Sequence, residues 1–442
     1  MPAILFCMIV LYADTTTARL EYTCSFIFKE LMGVEYSITT DNKAFSNHKG
    51  AKINYSLLQS PDQSFRITSE KLLFETGIHP QKIDCFEVNG YKAFFKTDHA
   101  DFPFDIFAAS FYLLTRYEEY LPYKKDMYGR YAHENSLAFK ENFLQLPLIN
   151  IWVEGLAKAL SQKYSAFSIQ RSAFRFIPTY DIDMAYAYKH KGFFKNFGGI
   201  LRSFFSFNIK RLIERVKVLF GKKKDPFDTY DALDALHQKY QLQPIYFFLV
   251  AKLKGRYDKN INPRKEVMRQ LICDHEKKYT IGIHPSWQSG DAVILLAKEK
   301  EYFEETTGTR VTNTRQHYIR FNLPDGYRRL INAGFKNDYS MGYGSINGFR
   351  ASVASSFYWY DLEKEEQTSL RVHPFCFMEA NSYYEQKLKA EEAFDELMHY
   401  YTVCKKVNGT LTTIWHNHMI GRDKAFRGWG EVYERFLQKI SS

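Results

Sequence analysis

From Phe174 onward, short apolar or β-rich runs alternate with amphipathic helical stretches, and this rhythm restricts the fold more than any other feature of the chain. A parallel strand needs a long crossover to return to its sheet, so such alternation is the sequence form of parallel β/α units. Residues 174–181, 244–250, 280–284, 310–314, 337–341, 370–374 and 411–416 read as strands. Residues 229–239, 264–277, 291–306, 326–333 and 387–405 read as helices; in the fourth, Tyr327, Leu330 and Ile331 share a face and Gly334 supplies the stop. About seven units suggest a closed barrel over 170–442, and the count alone leaves a doubly wound sheet open. At 442 residues the chain exceeds what one core usually supports, which predicts a second domain. Residues 1–165, with mixed short strands and helices, read as a smaller α+β domain; its clearest helix spans 105–119.

Reactive side chains recur where the predicted strands end. Asp181 and Asp183 close the first, His284 the third, Arg315 and His317 follow the fourth, Asp338 borders the fifth and His416 ends the last. Active sites of β/α barrels lie at that edge, and carboxylates and imidazoles are poor strand formers that are costly in a core. Singly, each has a plain structural explanation: Asp-x-Asp marks turns and caps, and a lone histidine is more often packed than ligating. Together they supply a carboxylate and two imidazoles for a divalent metal, a second carboxylate for proton abstraction and an arginine to keep it ionised, the inventory of metal-assisted hydrolysis.

Thr179-Tyr180-Asp181-Ile182-Asp183, Gly282-Ile283-His284-Pro285-Ser286, Arg315, Gly334-Phe335 with Asp338-Tyr339-Ser340, and Ile414-Trp415-His416 occur in that order. This series resembles the motifs of the polysaccharide deacetylase, or NodB-homology, family. The resemblance implies a distorted (β/α)7-type barrel and a metal-dependent hydrolase that removes N-acetyl or O-acetyl groups from a bacterial envelope or capsular glycan or its precursor. It implies Asp181 as base, Asp183 as metal ligand, Arg315 as the group orienting the base, His416 as acid, and zinc as the expected ion. One position departs from the pattern: the family has a second histidine four residues after the first, where this chain has Gln288. His317 is the expected replacement ligand, ahead of His418. Tyr180, Trp287, Tyr339, Tyr343, Trp359 and Trp415 are expected near the site as sugar-stacking faces, although 17% of the chain is aromatic and most rings must fill cores. Residues before the barrel look like an uncharacterised domain that precedes such barrels in bacterial proteins, which brings no role. In it, Arg116, Glu118, Glu119 and Arg130 are ligand candidates set against solvated helix ends and local ion pairs.

The net charge of +10 is unevenly spread: 189–224 holds eleven Lys or Arg against Glu214 alone, interleaved with seven phenylalanines. Such an insertion could lie on an anionic membrane surface or on an acidic polymer, or pack its rings on its own domain with its charges in water. No helix-turn-helix, zinc-finger or RNA-recognition signature accompanies it, so nucleic acid is the weaker expectation. Ile4 to Ala13 is an apolar run of ten without a preceding cation or a cleavage motif, and reads as a first strand, with Met8 an alternative start. The six cysteines are scattered without metal or disulfide spacing. Cytoplasmic residence is expected, with peripheral contact to the inner membrane through 189–224. Two other roles fit the same residues: a glycan-binding protein that has lost the metal, and a membrane-surface partner in glycan assembly.

Overall fold

The computed structural model describes residues 8–57, 63–170, 172–251 and 255–441. Within the first apolar run, Met8–Ala13 forms β1, while Ile4 to Cys7 fall outside the described residues. β1 pairs in parallel with β2 (Glu35–Thr39) and β3 (Ala51–Tyr55), and β3 with β4 (Phe65–Arg66). The crossover from β1 to β2 is helical over 18–31, starting where Thr17 accepts from Leu20 N. It stops at Gly33, whose φ of +65° and closeness to Gln170 O admit no side chain. An antiparallel hairpin joins β5 (Phe86–Val88) to β6 (Tyr91–Ala93).

The helix expected over 105–119 ends early, as Ile106–Leu114. Arg116 turns into the left-handed region at φ +56°, and its side chain enters a buried ion-pair cluster. Arg116 Nε donates to Glu119 Oε1 (2.7 Å), and Arg350 Nε and Nη2 donate to the two oxygens of Glu119 (2.8 and 2.5 Å). Arg116 also reaches Glu118 Oε1 (2.7 Å) and Tyr343 OH (3.2 Å). These charges sit at the join between the N-terminal region and the segment after residue 340. They are not solvated helix ends, and they lie outside the reactive cavity described below. Arg19, bidentate on Glu365, and Tyr22, donating to Tyr358 O, tie the same two parts together.

All seven predicted C-terminal strands form: β7 (Arg175–Ile182), β8 (Ile245–Leu249), β9 (Thr280–His284), β10 (Asn313–Thr314), β11 (Asn337–Asp338), β13 (Glu366–Val372) and β15 (Thr410–His416). Two more were not read from the sequence. β12 (Phe357–Asp361) pairs antiparallel with β13, and β14 (Phe377–Met378) is too short to leave a periodic signal. The ladder runs β12-β13-β11-β10-β9-β8-β7-β15-β14, parallel throughout except at β12. Between β13 and β14, Phe375 N donates to Met341 O (3.1 Å), just after β11, and Cys376 N to Thr412 O (3.4 Å) on β15, before β14 pairs with β15. The mixed α/β class expected from the alternation is thus present, with the parallel strand ends gathered at one edge. The crossover helices Tyr230–Lys239, Glu266–Glu276, Val293–Thr307, Asp325–Asn332 and Ala390–Lys406 match the predicted ones within a few residues.

Candidate active site

Strand register places the reactive groups. His416 is the pairing partner of Asp181 across β15 and β7, Asp181 pairs with Phe247 on β8, and β8 brings Leu249 beside His284 on β9. Since β-strand side chains alternate, Asp181 and His416 face one side and their neighbours Tyr180 and Trp415 face the other. Tyr180 and Trp415 are fully buried against the helix Trp429–Ser441: Tyr180 OH contacts Tyr433 OH and lies 2.8 Å from His237 Nε2, and Trp415 packs on Tyr433 at 4.6 Å. The expectation that they stack on sugar is therefore corrected.

Asp181 is buried and ion-paired, with Arg315 Nη1 2.7 Å from its Oδ1. Arg315 is itself fully buried and fixed by Thr179 Oγ1 (2.7 Å) and Tyr339 O (2.9 Å). Asp183, His284 and His317 converge, each offering one donor atom, all within 4.8 Å of one another. Asp183 Oδ1 lies 3.3 Å from His284 Nε2, and Oδ2 lies 3.4 Å from His317 Nε2 and 3.6 Å from His416 Nε2. Donors placed tetrahedrally at about 2.0–2.2 Å from a zinc ion stand about 3.3–3.6 Å apart, and the two Asp183–imidazole distances fall in that range, one to each carboxylate oxygen.

The outer nitrogens support the same reading. His284 Nδ1 bonds to Arg315 O (2.5 Å) and His317 Nδ1 to Asp258 Oδ1 (2.9 Å), which leaves both Nε2 atoms free to act as donors to a metal. Asp183 Oδ1 is buried and has no hydrogen bond among the described residues. The donor set fits a divalent ion. Burial would raise the Asp183 carboxyl, but His317 and His284 outweigh it and hold it well below its usual range. Burial likewise pulls His317 down, and Asp183 with Asp258 lifts it to about 9.

Gln288 is exposed and does not line the cavity. The segment after His284 makes only a 3-10 turn, Trp287–Gly290, so the position four residues on does not share a helical face with His284. His317 reaches Asp183 instead, from a loop in which Tyr318 and Ile319 both have positive φ (+59° and +54°). A β-branched residue in that region is strained, and surrounding contacts must hold it there. One such contact comes from the N-terminal region: buried Arg130, paired with Asp126, donates from Nη1 to Tyr318 O (2.6 Å).

His416 is held by a group the sequence reading missed. Buried Glu379 accepts from both the backbone N and the Nδ1 of His416, the latter at 2.9 Å. Burial lowers the imidazole, but Glu379, with Asp183 and Asp181, raises it to about 10. Behind it, burial and His416 push His418 down to about 3.

These groups open into a cavity of about 380 Å³ whose rim carries Tyr128, Tyr257, Tyr318 and Tyr384. Trp287 packs on Tyr257 (4.8 Å) and Arg320 (4.0 Å) just behind that rim. Tyr339 stacks on His373 at 4.3 Å, Tyr343 bonds Arg116, and Trp359 packs on Tyr327. All three are buried, and none lines the cavity. Asp338 is likewise internal, accepting from Tyr327 OH and Ser340.

Residues 9–165 match a family of unknown function, DUF7033. No curated protein matches the chain. Among solved structures, similarity is found to a protein assigned as a polysaccharide deacetylase from Mycobacterium smegmatis, at 12% identity and a TM-score of 0.40, covering 61% of this chain and 85% of that one. PuuE allantoinase gives 13%, 0.40, 61% and 83% in the same order, and a polysaccharide deacetylase from Bacillus cereus gives 11%, 0.30, 61% and 89%. The solved neighbours are thus polysaccharide deacetylases and an allantoinase. At these levels the chemistry assigned to the site must rest on its own geometry.

Proposed function

We propose that the chain is a metal-dependent carbohydrate deacetylase on a NodB-like (β/α)7-type barrel, hydrolysing the acetamide, or an acetyl ester, of a bacterial envelope or capsular glycan or its precursor. The observation that carries this reading is the different principal partner of each of two neighbouring carboxylates: Asp183 is faced by the Nε2 atoms of two imidazoles at 3.3 and 3.4 Å, while Asp181, 3.7 Å from His284 Nε2, is bonded at 2.7 Å to a buried arginine. The choice of a sugar substrate rests on the motif resemblance, and the tyrosine-rimmed cavity suits it.

A divalent ion held by Asp183, His284 and His317 would polarise the acyl carbonyl and make water more acidic. Asp181, kept ionised by Arg315, takes the proton from the attacking water. His416, protonated through its bond to Glu379, gives a proton to the departing sugar nitrogen. Base and acid stand on adjacent strands, so each can serve a different atom of the same scissile bond.

The test is acetate release from N-acetylated and O-acetylated oligosaccharides, with loss on chelation and recovery on adding zinc. Absence of acetate from every such sugar by protein that carries its metal would overturn the reading in favour of a glycan-binding protein.

A pH profile probes the acid. His416 donates only while protonated, and Glu379 is the largest influence raising its pKa. Glu379→Gln leaves burial to pull the imidazole down, so the alkaline limb of kcat/KM is expected to move to lower pH. A limb that stays in place would remove His416 from the role of acid.

A further inference from the structure

Between β7 and β8 the chain makes two consecutive helices, Phe193–Phe205 and Ile209–Leu219, in which only Ser203 and Val218 are buried. Phe193, Phe194, Phe204, Phe205, Phe207 and Phe220 are between 63% and 88% exposed. Eleven of the eighteen large hydrophobic residues exposed among the described residues fall within 193–220. Packing of the rings onto their own domain is therefore not found, and an apolar patch this dense is unfavourable in water unless something covers it.

The pattern also says what kind of surface would cover it. Phe193, Phe197, Leu201 and Phe204 recur at four, four and three residues, which gathers them on one helical face. The same helix carries Lys195 and Arg202 and the next carries Lys210, Arg211 and Lys217, followed by lysines at 222–224. The one acidic residue of the stretch, Glu214, is already taken by Lys223. The required partner therefore offers apolar depth beneath a layer of negative charge. Helices of 13 and 11 residues are too short to span a bilayer, and no helix among the described residues is long and apolar enough to cross one.

The pair is firmly rooted. Asp225 accepts from Ala187 N (2.8 Å), Tyr188 N (2.9 Å) and Lys189 N (3.0 Å) at one end, and from Phe227 N (3.1 Å) at the other. Asn417, next to His416, donates to both Met184 O (3.1 Å) and Phe227 O (2.8 Å), which fixes the insertion to the rim of the reactive cavity.

We propose that Phe193–Phe205 and Ile209–Leu219 form an in-plane anchor for the surface of an anionic phospholipid bilayer. Phenylalanines seat among the acyl chains, and lysines and arginines lie at the headgroup phosphates. The experiment is flotation of the full chain with phosphatidylcholine vesicles, with and without phosphatidylglycerol. Binding is expected only to the anionic vesicles and to be lost at high salt. Phe204→Ser/Phe205→Ser/Phe207→Ser is expected to weaken it at least about 10-fold, and Lys210→Glu/Arg211→Glu at least about 25-fold, from about five-fold per charge. All five positions are exposed, so an unchanged Tm and metal content should show that both variants are folded. Equal flotation with neutral vesicles, flotation with neither, or self-association through this face that the serine substitutions abolish would each overturn the proposal. Flotation needs no turnover, so its outcome is independent of the deacetylase reading.

Discussion

Asp181→Asn is expected to lower kcat/KM for acetate release by about 10²- to 10⁴-fold, the usual contribution of a positioned base, while metal content stays at the wild-type level. The two results separate because Asp181 is bonded to Arg315, whereas the proposed metal donors are Asp183, His284 and His317. Asparagine keeps the shape and can still sit beside Arg315, but it cannot take a proton from water. Equal acetate release by variant and wild type would dismiss Asp181 as base. Loss of metal together with activity would merge the two carboxylates into one role.

The largest expected effect on stability lies outside the cavity. Glu119 is nearly inaccessible and shared by two buried arginines, so Glu119→Ala leaves Arg350 without its carboxylate and Arg116 with Glu118 alone. Burial opposes ionisation of Glu119, but Arg350 and Arg116 prevail and lower its pKa. Breaking a buried pair by removing one partner costs about 3–5 kcal/mol, whereas replacing the whole cluster with apolar residues of similar volume can be neutral. Urea unfolding should show that loss for the single variant and a much smaller one for a cluster of leucine and methionine. A single variant within about 1 kcal/mol of wild type would mean that water enters the cluster and screens it.

Much of this was legible in the sequence for a definite reason. A charged residue at the end of an apolar run is an expensive placement, so Asp181, Asp183, His284 and His416 stood out, and the structure sets all four at one rim. Glu379 follows β14 in the same manner, yet a two-residue strand leaves no run to be ended. Asp258 and Tyr257 lie on the irregular connection after β8, where no periodicity assigns a direction to a side chain. Tyr180 and Trp415 adjoin Asp181 and His416 in sequence but lie on the other side of the sheet, because one residue along a strand reverses the face. Gln288 would be the i+4 position of a helix that the chain does not form there. The contacts of Arg130 with Tyr318 and of Arg116 with Tyr343 span 188 and 227 residues along the chain, a range at which local pattern is silent.

The central claim is that Asp183, His284 and His317 form one metal centre, with His317 replacing the ligand absent at Gln288. The most direct test is calorimetric zinc binding, with elemental analysis, on the wild type, His317→Gln and Gln288→Ala. One equivalent of zinc is expected for the wild type and for Gln288→Ala, and a loss of affinity of at least about 100-fold for His317→Gln, beyond the about 10- to 100-fold typical of a residue that only orients a ligand. Wild-type affinity in His317→Gln, or no zinc bound by the intact chain, would contradict it.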